Sequence, residues 1–144
     1  MGAAAPHTPS DDQVLEAAAG IVGAFAATDT DRYFAAFAPD ASFVFHTEPA
    51  RLDSRDGYEV LWAGWLAEGW RVIACGSTNQ HVTAFPGGAV FVHDVATTVA
   101  LPDGEDSYLE RETIVFRYSD GGLIAVHEHL SPMPPAGQVQ APST

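Results

Sequence analysis

Two runs rich in β-branched and aromatic residues, YLERETIVFRY from Tyr108 and LIAVHEHLS ending at Ser131, flank the turn Ser119-Asp120-Gly121-Gly122. Asp-Gly tolerates the positive φ angles of a two-residue turn, so the segment reads as a β-hairpin. The turn then decides which side chains meet across the two strands. With Asp120 and Gly121 central, Ser119 faces Gly122, and counting outward sets Ile114 opposite His127 and Glu112 opposite His129 on one face. Alternation gives His127 and His129 a common face and turns Glu128 to the other, and it likewise groups Glu110 with Glu112. A single bulge would break this pairing.

Upstream, Ser10 followed three residues later by Gln13 makes a capping box, and Asp11 and Asp12 suit the positive end of a helix dipole. Val14, Ala17, Ala18, Ile21, Val22 and Phe25 repeat at helical spacing, predicting a helix to about Ala27. Asp29 to Asp31 restart a short helix carrying Tyr33, Phe34 and Phe37, which Pro39 stops, and a strand follows over residues 41–46. Asp53 or Ser54 caps a third helix whose Tyr58, Leu61, Trp62, Trp65 and Leu66 form one apolar stripe ending at Gly69. Strands are expected over 70–85, 88–101, 107–118 and 122–131, separated by Gly- and Pro-bearing turns. Helices first and an antiparallel meander afterwards give an α+β domain over residues 10–131. A disordered N-terminus over 1–9 and a flexible Pro-rich tail over 132–144 complete the expectation.

The chain has 144 residues, a formal charge of −13, six arginines and no lysine. Nucleic-acid and anionic-membrane partners are excluded by that balance, because both need Lys and Arg against phosphate. The N-terminus lacks a basic, apolar leader and no stretch reaches the length of a membrane span, so a cytoplasmic protein is expected. Cys75 stands alone and cannot form an internal disulfide.

Chemistry-bearing residues concentrate on the hairpin. If the simple register holds, His127, His129, Glu110 and Glu112 project into one layer. A His oriented by a carboxylate in a dry cleft is a general base, which makes His127, with His129 and Glu112, the catalytic candidates. The same three offer at most three ligands of a mononuclear metal site, and the further ligands of an HxH metal signature are missing, so no metal or other cofactor is expected. Tyr33, Trp62 and Trp65 sit on helices suited to an aromatic cavity wall, with His46, His81, His93, Glu110 and Ile114 as further ligand-binding candidates.

The run RETIVFR, the Asp-Gly turn and LIAVHEHLS resemble the closing hairpin of the association domain of calcium/calmodulin-dependent kinase II and of SnoaL-like proteins, members of the NTF2-like superfamily. The resemblance implies a cystatin-like cone, with helices closing the concave face of a strongly curved sheet around a pocket, and it implies a homodimer. In the kinase domain a tyrosine at the place of Tyr33 belongs to the ligand pocket, and pocket arginines fall where this chain has Ile114 and Leu130, so anion binding does not carry over. The ketosteroid isomerase branch has its oxyanion tyrosine and catalytic aspartate where this chain has Ile21 and Phe45. His81, His93, Tyr33 and Asp94 are the residues that could imitate a dehydratase resembling scytalone dehydratase. The implied function is an isomerase, dehydratase or cyclase acting by general acid–base catalysis on an apolar oxygenated substrate, the alternative being a non-catalytic dimerisation or ligand-binding module.

Overall fold

The computed structural model describes residues 7–134. Helix α1, Asp11–Ala26, starts at the expected capping box, with Ser10 and Gln13 bonded reciprocally, and buries Val14, Ala18, Ile21 and Ala24 along one stripe. Asp29 caps the short α2, Thr30–Ala35, which buries Tyr33 and Phe34. Strand β1, Phe37–Phe45, begins earlier than expected: Pro39 is exposed inside it rather than ending a helix. Proline is tolerated there because β1 is an edge strand and its pairing is irregular between Phe37 and Ser42. Ser54 caps α3, Arg55–Ala67, and Gly69 leaves it at φ 93°.

Strands β2 (Arg71–Phe85), β3 (Gly88–Leu101), β4 (Gly104–Ser119) and β5 (Gly122–Pro132) form an antiparallel meander. The sheet order is β1-β5-β4-β3-β2, and β1 joins β5 in parallel, so antiparallel pairing dominates without being complete. α1 packs on β2 and α3 on β1, and the core lies between helices and sheet, where Ile21, Phe34, Tyr58 and Trp62 meet Phe43, Phe91, Ile114 and Phe116. The fold is α+β, as expected. Among the described residues no helix is long and apolar enough to cross a membrane.

Ser119 faces Gly122 as the turn requires, but the hairpin register fails further along. Val115 pairs with His127 and Phe116 with Ala125, which leaves Val126 as an extra residue in β5. Beyond this bulge the true pairs are Ile114 with Glu128, Thr113 with His129 and Glu112 with Leu130. The expected pairs Ile114–His127 and Glu112–His129 are therefore off by one residue, and every later β5 side chain changes face.

Most of the expected flexible ends, 1–6 and 135–144, lie outside the described residues. Within them, the His7 carbonyl accepts from the Gly87 N–H at 2.9 Å, and the Met133 N–H donates to the Leu109 carbonyl at 3.1 Å.

Gly88 tests the close approach of β3 to β4, since a Cβ there would sit 2.4 Å from the Phe116 carbonyl oxygen. Gly88→Ala should lower unfolding free energy by about 1–3 kcal/mol, as overpacking does. Gly20→Ala, in α1 with nothing within 4 Å of its Cβ, should raise it by roughly 0.5–1 kcal/mol. Denaturant titration of both variants reads the contrast, and equal effects would refute the close approach.

Candidate active site

Helices and sheet enclose a cavity of about 520 Å³. Ile21, Val22 and Phe25 of α1, Tyr33 of α2, Phe45 of β1, and Tyr58 and Trp65 of α3 line it with Trp70 and the inward positions of β2 to β5. Its innermost members, Tyr33, Tyr58, Glu112 and Glu128, are all buried, whereas Glu68, Leu101, Pro102 and Asp106 are exposed and mark the mouth.

The floor is a connected polar group. The Tyr33 and Tyr58 hydroxyls lie 3.0 Å apart, and Tyr33 Oη also sits 3.4 Å from both oxygens of Glu128. Glu112 is the neighbouring buried carboxyl, and its charge acts on Glu128. Glu112 Oε1 meets His93 Nε2 at 2.6 Å, and His93 Nδ1 meets Ser77 Oγ at 2.5 Å. Toward the rim, Glu110 Oε2 meets His46 Nε2 at 2.5 Å.

Burial decides the protonation of these groups. It pushes the Glu112 carboxyl up to about 8, with the neighbouring Glu110 adding to the rise. Glu128 is raised well above the usual carboxylate range by burial and then by Glu112. Two buried carboxyls that act on each other in this way do not both ionise readily. Burial lowers His93 to about 4 and raises both buried tyrosines. Glu110 is raised by burial too, but the His46 hydrogen bond and charge oppose the rise. The cavity thus holds carboxyls in two environments, a sealed protonated pair and a half-buried acid held by an imidazole. Groups pushed apart in this way divide acid and base roles.

Several expected site residues lie elsewhere. The Val126 bulge turns His127 and His129 to the outer face of the sheet and brings Glu128 inward, which reverses the expected arrangement. His127 Nδ1 bonds Ser42 Oγ at 2.8 Å, and His129 is exposed. Neither His can chelate together with Glu112, which faces the opposite side, and no cluster of metal-ligating side chains occurs among the described residues. His81 is exposed and stands opposite Val92 on the outer face, because β2 bulges between Thr78 and His81. Ile114 is core beneath the cavity. Trp62 is core as well: its ring stacks on Tyr33 at 5.0 Å and its Nε1–H donates to Thr30 Oγ1 at 2.9 Å. His93 stands behind Glu112 and does not line the cavity.

Tyr33, His46, Trp65, Glu110 and Glu112 do line the cavity, which brings together helix, strand-end and hairpin residues. Ile21 and Phe45 line it also, as apolar groups. Tyr58, Trp70 and Tyr108 join the site without a place among the candidates that the sequence suggests, and Glu128 joins them, a candidate carboxylate that simple alternation turns to the other face. The signal for Tyr58 exists, since it belongs to the same α3 stripe as Trp65; for Glu128 there is none, because nothing local announces the bulge.

The sequence matches the SnoaL-like domain family over residues 14–135. No curated protein matches it. Among solved structures, a Xanthomonas campestris protein assigned to the calcium/calmodulin-dependent protein kinase II association domains is similar at a TM-score of 0.73 and 20% identity, over 93% of this chain and 95% of that one. An NTF2-like protein of Cytophaga hutchinsonii gives 0.75 at 10% identity over 87% and 99%. A cystatin-like-fold protein of Caulobacter vibrioides gives 0.70 at 19% over 86% and 89%. At these identities the likeness is one of fold.

The buried acids give stability a definite pH dependence. Stability from Glu112, raised to about 8, is fully present below the ordinary value near 4.5 and is lost as pH climbs through 8. Stability from His93 is present above 6.5 and is lost as pH falls toward 4. The two oppose each other between 4.5 and 6.5, and above that only the carboxyls act. Unfolding free energy should therefore fall by a few kcal/mol from pH 6.5 to 8.5, since each tenfold difference in proton affinity between folded and unfolded chain is worth about 1.4 kcal/mol. Glu112→Gln, which keeps a neutral hydrogen-bonding group, should flatten that limb. Equal pH profiles of the two proteins would contradict the sealed acid.

Proposed function

The chain belongs to the SnoaL-like domain family, and from that premise we propose that its cavity catalyses proton transfer on an apolar oxygenated small molecule. The reaction class is isomerisation, dehydration or cyclisation beginning with loss of a proton from carbon next to a carbonyl. One observation carries the reading: Tyr33, Glu128 and Glu112 form a buried, proton-bearing cluster at the floor of a cavity that also presents Glu110.

Glu110 is the base. Its carboxylate looks into the cavity, and His46 holds it in place and favours its ionised form. The tyrosine hydroxyls, supported by protonated Glu128 and Glu112, stabilise the oxyanion that forms as the α-proton leaves. A carboxylic acid kept neutral by an apolar site is a known donor of this kind. Phe25, Phe45, Trp65 and Trp70 supply the apolar contact. No arginine lines the cavity and the chain has no lysine, which favours an uncharged substrate. No cofactor enters the scheme.

β,γ-Unsaturated cyclic ketones serve as probes, read by the absorbance of the conjugated product and by deuterium uptake in D₂O. Glu110→Gln and Glu128→Gln should each lower kcat by on the order of 10²–10⁴, the range of a lost general acid or base. His127→Ala and His129→Ala should leave kcat within about twofold, as expected of groups outside the cavity. Full activity of Glu110→Gln would end the assignment of the base. Micromolar binding of the probes with no turnover in the wild type would instead favour the ligand-binding module.

A homodimer through the outer sheet face belongs to the same reading. Val92 and Leu109 are exposed there, beside a shallow depression lined by Ala74, Gly76 and Ala96. Native mass spectrometry at micromolar concentration should find a dimer that Leu109→Glu dissociates; a wild-type monomer would sink the idea.

A further inference from the structure

We propose that His93 and Ser77 form a rear proton route that links the acid cluster at the cavity floor to bulk solvent without passing through the cavity mouth. The route rests on the proton-transfer reading above and adds two residues to it that do not touch substrate.

His93 is fully buried, yet both of its ring nitrogens are engaged, Nε2 with Glu112 at 2.6 Å and Nδ1 with Ser77 at 2.5 Å. Ser77 is half-buried on the edge strand β2, and its hydroxyl accepts from the exposed Gln80 Nε2 at 2.9 Å. The polar chain therefore runs from the tyrosine pair through Glu128, Glu112 and His93 to Ser77, where water can reach it. Neither His93 nor Ser77 lines the cavity. The sheet is also shaped at this point: between the pairs Thr78–Asp94 and His81–Val92, two β2 residues stand opposite His93, and Asn79 takes φ 52°. That bulge sets Gln80 within hydrogen-bond reach of Ser77.

A lone buried histidine needing satisfaction could end on any fixed carbonyl. Here its two partners are a carboxyl and a hydroxyl, both of which can give and take protons. An imidazole so placed accepts a proton on one nitrogen while releasing one from the other.

In an isomerisation the transfers balance. Glu110 takes the α-proton, the carbon–carbon bond to the carbonyl carbon gains double-bond character, and the carbonyl oxygen receives a proton from a tyrosine. Glu128 replaces that proton, Glu112 replaces that of Glu128, His93 gives its Nε2 proton to Glu112, and Ser77 gives one to Nδ1 and takes one from a water, which is left as hydroxide in the solvent and takes the proton back when the steps reverse. In the second half Glu110 delivers its proton to the γ-carbon, the enol O–H proton returns to the tyrosine, and each step reverses, which restores the imidazole tautomer. A ligand filling the mouth does not interrupt the exchange.

Two measurements test the route, one of them without turnover. By NMR, the His93 ring N–H should exchange with solvent at least tenfold more slowly in Ser77→Val than in wild type, with Ser77→Ala as a second variant should Val disturb the fold. An unchanged exchange rate in a folded variant would overturn the route whether or not a substrate is known. With the ketone probes, kcat against D₂O fraction should curve in wild type, as several protons in flight require, and become linear in Ser77→Val, with imidazole buffer partly restoring the rate. A purely structural role for Ser77 would change kcat and leave the curvature, and that outcome also overturns the proposal. Absence of wild-type turnover would remove the proton-transfer reading and leave the exchange measurement to decide the route.

Discussion

A strand that gains one residue turns every later side chain to its other face, and the chemistry of this cavity depends on one such residue. Val126 is unopposed in β5, so Ala125 and Glu128 both point inward, three positions apart, where strict alternation would separate them. Without it His127 and His129 would look into the cavity and Glu128 would be outside. The bulge therefore selects which ionisable groups are buried: two imidazoles or one carboxyl. It also meets β1, where Ser42 pairs with His127 and Phe43 with Glu128, so the parallel strand is registered on the shifted half of β5.

Placing Glu128 beside Glu112 in the interior is costly, since an isolated ionised carboxylate loses several kcal/mol of hydration on burial. The fold answers by keeping protons there and by supplying hydrogen-bonding neighbours in place of counter-charges: Tyr33 against Glu128, and His93 against Glu112. Around them stands an aromatic cluster in which Tyr33 touches Phe25, Phe34, Phe37, Tyr58 and Trp62 at centroid distances of 5.0–5.9 Å. That packing lowers the local polarity that raises the carboxyls, and it fixes the tyrosine hydroxyl over Glu128. The core and the site are thus one structure. Loosening the aromatic packing would admit water and return the acids toward their ordinary values.

Much of this is legible in the sequence. The Ser10–Gln13 capping box, the Ser54 cap and the Gly69 stop place α1 and α3 to within a residue or two because each is a local hydrogen-bonding or dihedral requirement. The turns at Gly87, Gly104 and Asp120-Gly121 fix four strands in the same way. Pro39 misleads because a proline that ends a helix is equally at home on an edge strand, and only the sheet order tells which applies. The hairpin register misleads because a bulge is a non-local feature, decided by which face β1 and the helices can cover. Hence Glu112 and Glu110 are readable on β4, which has no bulge, while the inward and outward residues of β5 beyond Val126 come out exchanged.

Six carboxyl side chains line the cavity, from Glu48 and Glu68 through Asp106 to Glu110, Glu112 and Glu128, and the sole basic group among the lining residues, His46, is engaged by Glu110. Such a cavity repels anions at any pH where the rim is ionised. It gains little from a permanent cation at the floor, where a proton already occupies the pair. An uncharged molecule meets neither penalty: its rings replace water against Phe25, Trp65 and Trp70, and its oxygen finds the hydroxyl and carboxyl donors below. Polarity in this site therefore runs along depth, charged at the rim, apolar on the walls and neutral but hydrogen-donating at the floor. That order is what lets a carboxylate at Glu110 act as a base a few residues from two carboxyls that act as acids.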